Sequence, residues 1–240
     1  MAGTREKQAD APLTSAADEF AALELSGGRP CLDFINTVDP RLGDAQHDYL
    51  ASYADLVRWF AYAKLLSEAQ VASLLRVAAR QPRAAHARFA RAVALREALY
   101  RVFSTIAAQQ APSADDLATI QATYAEMLAQ ARLVATSETF AWGWPEGADV
   151  FDLAFWTVIQ SAVELLTAPE LRRVKVCPGL NDCGWLFLDT SKSGRRRWCS
   201  MEGCGSRAKM RSYYARTHTR VNGRQDATAA PAATASGLGA

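Results

Sequence analysis

Apolar positions recur at helical spacing through most of this chain, in blocks separated by Gly, Pro and Ser. In the block 52–66, Leu56, Trp59, Phe60 and Ala63 share one helical face. Ser52 stands at its start with Asp55 three residues on, an N-cap arrangement in which the serine oxygen accepts a backbone N–H. Ser67 and Gln70 repeat the pattern as a capping box ahead of Val71, Leu74, Leu75 and Ala78. That helix is expected to end before Pro82, which suits the first turn of the next. The next runs to about Gln110 on a stripe that includes Phe89, Leu95, Leu99, Val102, Phe103 and Ile106. Ser113, with Asp116, opens a further helix to about Gln130. Arg83, Arg88, Arg91, Arg96 and Arg101 recur along the long helix, and they are expected to form a solvated face rather than a nucleic-acid surface.

The pattern changes near residue 132. Leu133, Val134, Thr136, Thr139, Phe140, Trp142 and Trp144 are mostly β-branched or aromatic. They predict a hairpin pairing 132–136 with 139–144, followed by Pro145-Glu146-Gly147. Trp142 and Trp144 share a face, which either covers the helical core or lines a pocket. Residues 149–167 are apolar nearly all round and predict a buried central helix. Upstream, Gly27-Gly28 and Pro30 break the chain ahead of CLDFINTVDPR, residues 31–41. There Asp33, Asn36, Thr37 and Arg41 interleave with apolar neighbours. Such groups either cap neighbours and orient a short helix or form part of a small-molecule ligand pocket. Residues 1–24 are polar and Ala-rich, with weak helical periodicity near 15–25, and are expected to be flexible.

Four of the five cysteines lie beyond residue 170, as Cys177 and Cys183, then Cys199 and Cys204. Two close pairs around a short insert are how a chain holds one tetrahedral metal. Four thiolates suit zinc, and an all-cysteine shell leaves no open position for substrate water, so one structural Zn2+ is expected. Two disulfides or four unrelated buried cysteines are the competing readings. The N-terminal stretch has no apolar core behind basic residues, and a cytoplasmic, reducing setting favours metal. Cys31 reads as a packed core residue. Residues 185–190, WLFLDT, predict a strand, SKSG a turn and RRRWC a returning strand, with a helix from Gly205. Knuckle, hairpin and a helix donating the last ligand make a treble-clef arrangement.

The formal net charge of +2 conceals an asymmetry. Residues 171–224 carry thirteen Lys or Arg against three acids, while the rest carries 14 basic and 22 acidic residues. A basic module on an acidic body points to a polyanion partner. Arg195, Arg196 and Arg197 on the finger's hairpin, and Arg207, Lys209, Arg211 and Arg216 on its helix, are the candidate nucleic-acid contacts. The expected architecture is mainly α. A flexible 1–24 precedes a helical domain with a small hairpin, 25–170. A treble-clef-like zinc finger of hairpin and helix, 171–220, and a disordered tail, 221–240, follow. The short connection near residue 171 suggests that body and finger act as one unit.

The stretch C-x5-CGWLFLD, then RRWCSM-x2-CG-x-R-x-K, resembles the CGNR zinc finger of bacterial proteins. Ser206 stands where that motif has Asn. CLDFINTVDPR and SYADLVRWF resemble the ABATE domain that precedes such fingers. The resemblance covers residues 25–216 and implies a stress-response transcription regulator that binds DNA. A regulator whose body senses a small-molecule effector or forms a homodimer is therefore the leading expectation. An RNA-binding or protein-interaction adaptor with a purely structural zinc is the alternative. An enzyme is not expected, because the chain shows no nucleophile–base pair, phosphate loop or open metal site. No membrane association is expected.

Overall fold

The computed structural model describes residues 20–43, 45–146, 148–179, 183–214 and 216. The expectations for 1–19 and for the tail 221–240 lie outside the described residues. In chain order the body holds α1 (Pro30–Ile35), β1 (Val38–Asp39), β2 (His47–Asp48), α2 (Tyr53–Tyr62), α3 (Glu68–Arg80), α4 (Pro82–Ala107) and α5 (Ala114–Gln130). The hairpin strands β3 (Arg132–Ala135) and β4 (Phe140–Gly143) and the helix α6 (Val150–Thr167) complete it. A 3-10 turn, Pro169–Arg173, leads into β5 (Val174–Val176) and β6 (Leu186–Leu188). A π-turn, Met201–Gly205, then opens the last helix, α7, over 206–214.

Local chemistry sets most of these boundaries. Ser52 accepts the Asp55 N–H at 3.2 Å and starts α2. Lys64 adopts a left-handed φ of 60° just past the end of α2, so the helix stops short of residue 66. Ser67 and Gln70 exchange the capping-box bonds, at 3.3 and 2.8 Å. Pro82 sits in the first turn of α4. Ser113 caps α5 through the N–H of Asp115. Asp116 does not join that cap. Its carboxylate is taken by Arg101, with a closest contact of 2.5 Å.

α6 is the buried centre, as its composition predicts. Phe151, Phe155, Trp156, Val158, Ile159 and Leu165 all lie in the core, where each such side chain contributes about 1.5–3 kcal/mol by leaving water. The helix is long and apolar enough to cross a membrane, but half of it is buried inside the protein, as in a core helix. The hairpin pairs Leu133 with Trp142 and Val134 with Ala141. Trp142 and Trp144 both meet Trp156 edge-on, at 6.3 and 5.7 Å, and Tyr124 stacks on the same ring at 5.4 Å. The two tryptophans therefore cover the core.

Three expectations are corrected. Residues 20–24 are not frayed: Phe20 and Leu23 are buried, and the Tyr62 hydroxyl donates to the Leu23 carbonyl. The α4 arginines are not a simply solvated face. Arg88, Arg91, Arg96 and Arg101 each bind a carboxylate, and Arg96 is only 2% exposed. Finally, WLFLDT does not pair with RRRWC. β6 pairs antiparallel with β5, with Val174 opposite Leu188 and Val176 opposite Leu186. Its other edge is already filled by the body. Leu188 donates to the Gly27 carbonyl at 2.8 Å, and Leu186 bonds the Asn36 side chain. With both edges taken, the arginine stretch has no ladder to join.

Candidate metal centre and basic surface

The first knuckle is the link between β5 and β6. Cys177 follows β5 directly, its N–H reaches the Trp185 carbonyl at 2.8 Å, and Gly184 N–H returns to the Cys177 carbonyl at 3.2 Å. Gly184 has a left-handed φ of 63°. A Cβ on Gly179 would stand 2.7 Å from both the Cys183 Cβ and the Cys204 sulfur, so only glycine lets the loop close on the thiols. The second knuckle is capped by Ser200, whose oxygen accepts the Gly203 N–H at 3.0 Å. The π-turn then carries Cys204 into the start of α7.

These turns bring the four sulfurs of Cys177, Cys183, Cys199 and Cys204 within 4.8 Å of one another, all of them buried. Cys183 and Cys199 are 3.8 Å apart. Tetrahedral zinc, with sulfurs about 2.3 Å from the metal, spaces them about 3.8 Å apart. The thiols suit a dication chemically as well. Left to themselves they cannot all ionise. Cys177 is pulled down by hydrogen bonds from Cys183 and Cys199. Cys183 and Cys199 are pushed up first by bonding to Cys177, Cys199 next by bonding to Cys183, and both also by burial, which is the main cause for Cys204. A bound Zn2+ removes that conflict, because all four then ligate as thiolates. Cys199 N–H and the Arg207 guanidinium approach the Cys177 and Cys204 sulfurs, at 3.3 and 3.8 Å, and temper the surplus negative charge. The four cysteines form a zinc-binding site. Cys31 stays outside it. Burial pushes its thiol up to about 12, as befits a packed side chain.

Of the polar side chains of 31–41, that of Asn36 bonds across to the finger, and those of Asp33, Thr37 and Arg41 bond within the body. Asn36, fully buried, gives its Nδ2–H to the Leu186 carbonyl at 2.8 Å and accepts the Leu186 N–H at 2.9 Å. The amide thus acts as a short strand against β6. Trp185 donates its indole N–H to the Val38 carbonyl at 2.9 Å, and Arg41 N–H reaches the carbonyl of the ligand Cys183 at 2.7 Å. Thr37 bonds the Phe34 carbonyl and accepts from Arg96. Arg41 donates to the Ile35 carbonyl and to Glu97, and its guanidinium lies 4.4 Å from the Tyr100 ring centre. Asp33 accepts the Gly27 N–H at 2.8 Å, and burial pushes its carboxyl up to about 6. The four side chains thus point to separate internal partners.

The predicted basic residues divide in two. Arg196 is half-buried: it donates to the carbonyls of Trp198, Ser26 and Cys199, and it lies over Phe187 at 4.7 Å. Arg195, Arg197, Arg207, Lys209, Arg211 and Arg216 are exposed. Arg197 stacks over Trp198 at 5.3 Å, and Trp198 packs against Gly205 at the start of α7. Two further residues matter here. Lys175 donates to Asp189, Gly194 and Arg196, and Asp189 is fully buried. Burial alone would raise the Asp189 carboxyl, but hydrogen bonds from Lys175 and Ser191 outweigh it and hold it well below the usual carboxylate range. Lys175 sits in the alternating Val-Lys-Val of β5, a pattern that marks an outward strand position.

The family model described as "Putative stress-induced transcription regulator", ABATE, matches residues 28–169. The CGNR zinc finger model matches residues 173–217, directly after it. The chain belongs to the ABATE family. Comparison with curated proteins returned no match. In this member of the family, Ser206 replaces the finger motif's Asn and donates its hydroxyl to the Met201 carbonyl at 3.0 Å, closing the π-turn. The ABATE segment contributes the Asn36 clasp, and the CGNR finger contributes the strand it holds.

Proposed function

We propose that this ABATE protein is a cytoplasmic transcription regulator that binds duplex DNA through its zinc finger. One contrast supports the reading. The α4 arginines from Arg88 to Arg101 are committed to carboxylates of the body, whereas Arg195, Arg197, Lys209 and Arg211 face solvent from a scaffold fixed by zinc. A rigid platform with outward cations binds a phosphate backbone with little loss of side-chain freedom, and α7 is a helix short enough to lie along a groove.

Titrating fluorescent duplex DNA with the zinc-loaded full chain between 50 and 300 mM salt tests this. Four to five phosphate contacts give a slope of log K against log salt of about −4. Lys209→Ala with Arg211→Ala should lower the slope by about 2. Absence of binding at 50 mM salt, or binding without a salt slope, rejects the reading. Exposed Met210, Tyr213 and Tyr214 on the same helix favour the second reading, a protein-interaction adaptor. Capture of a partner protein by a chain that ignores DNA would establish it instead.

A further inference from the structure

The last turn of α4 and the finger border an open groove of about 660 Å³. Its apolar lining comes from Ala107 at the end of α4, Ala108 just past it, Val176 from β5, and Pro178 from the first knuckle. Its rim carries Arg195, Arg196 and Arg197, with Lys175 beside them. Lys175 is paired with Asp189 at 2.6 Å. The guanidinium groups of the three arginines meet no carboxylate among the described residues, although the Arg196 backbone N–H donates to Asp189 at 3.0 Å. The Arg196 side chain donates only to backbone carbonyls, and that of Arg197 lies on Trp198. The rim is therefore a cluster of uncompensated cations, two of them already held in place by their own contacts.

From this geometry we infer that the groove is a binding site for a small organic anion, a carboxylate or phosphate monoester with an apolar body. The volume lies within the range of small-molecule sites, and few placed charges over apolar walls are their usual chemistry. The orientation follows from the charges. α4 ends at the groove, and the negative end of its dipole disfavours an anion against Ala107 and Ala108. The anionic group therefore sits at Arg195 and Arg197, where planar guanidinium groups suit carboxylate and phosphate oxygens. The apolar part lies on the alanines, Val176 and Pro178. One wall belongs to the helical body and the other to the finger, so occupancy ties the two together. It also occupies two of the arginines proposed to contact DNA, and ligand and DNA would then compete.

Ligand binding is measured in the absence of DNA on the zinc-loaded full chain, and DNA affinity separately. Calorimetric titrations use phenyl phosphate and hexanoate as probes, with inorganic phosphate and hexanamide as controls. Saturable binding of both probes is expected, with each control at least tenfold weaker. Arg195→Ala with Arg197→Ala, both surface changes, should weaken phenyl phosphate at least tenfold. Ala107→Trp, which occupies the apolar side of the groove, should do the same while leaving DNA affinity within twofold. The inference is overturned by any of three results. The first is no saturable probe binding at 10 mM, or inorganic phosphate binding as tightly as phenyl phosphate. The second is an affinity unmoved by both variants. The third is a loss of DNA binding in Ala107→Trp that matches the loss of ligand, which would assign the groove to the polynucleotide.

Discussion

Replacing Asn36 with Ala removes the amide that closes the free edge of β6. Two hydrogen bonds are lost, of 2.8 and 2.9 Å, and both end on the backbone of Leu186, which is completely buried. The N–H and C=O of Leu186 are then left without partners in a dry setting. Each orphaned buried group costs about 1–3 kcal/mol, so the pair costs about 2–6 kcal/mol. At an m-value of about 3 kcal/mol/M in urea, a loss of 3 kcal/mol moves the unfolding midpoint down by about 1 M. The assay is equilibrium urea unfolding of the zinc-loaded protein, followed by tryptophan fluorescence and by far-ultraviolet circular dichroism. Asn36→Asp is the companion variant. It keeps an acceptor for Leu186 N–H but sets a carboxylate against the Leu186 carbonyl, and it should be no more stable than Asn36→Ala at neutral pH. A midpoint shift under about 0.2 M for Asn36→Ala, with the m-value unchanged, would refute the clasp as a stabilising element.

Three further outcomes follow from the same geometry. Gly179→Ala forces a methyl to 2.7 Å from the Cys204 sulfur, so zinc affinity measured by chelator competition should fall at least tenfold. Ser206→Asn should be nearly neutral, within about 0.5 kcal/mol and with zinc retained, because an amide can also donate to the Met201 carbonyl on this exposed turn. Asp33→Asn should stabilise the protein at neutral pH. The native carboxyl is pushed up to about 6 by burial, above its unfolded value near 4, so the folded state holds its proton more tightly and Asp33 costs stability as pH rises through that window. The gain is at most about 3 kcal/mol at pH 8 and about half of that by pH 5, read from unfolding curves across pH.

Features governed by neighbours in sequence were legible before the fold was known. The capping serines Ser52 and Ser67, Pro82 at the start of α4, the apolar circumference of α6 and the paired cysteines all announce themselves within a few residues. What was not legible depends on distant partners. The strand at β6 was correctly placed, but its pairing was not, because the edge expected for RRRWC is filled by Gly27 and Asn36, the latter 150 residues away. Arg196 has the same composition cue as Arg195 and Arg197, yet it turns inward to carbonyl groups. Phe20 and Leu23 sit in a polar, alanine-rich segment whose composition hides two core residues. Asn36, Thr37 and Arg41 were recognisable as unusual polar insertions. Only the structure shows that the Asn36 side chain bonds across the body–finger junction while those of Thr37 and Arg41 bond within the body.

The central claim is that the zinc finger is built into the helical body rather than appended to it. Hydrogen exchange of the full chain, with zinc and after its removal by a chelator, tests this most directly. If the account is right, loss of zinc lowers protection in β5 and β6 and also in the body around 23–41, whose Gly27 carbonyl and Asn36 side chain complete the same ladder. Protection lost only within 173–216, with 23–41 unchanged, would contradict it.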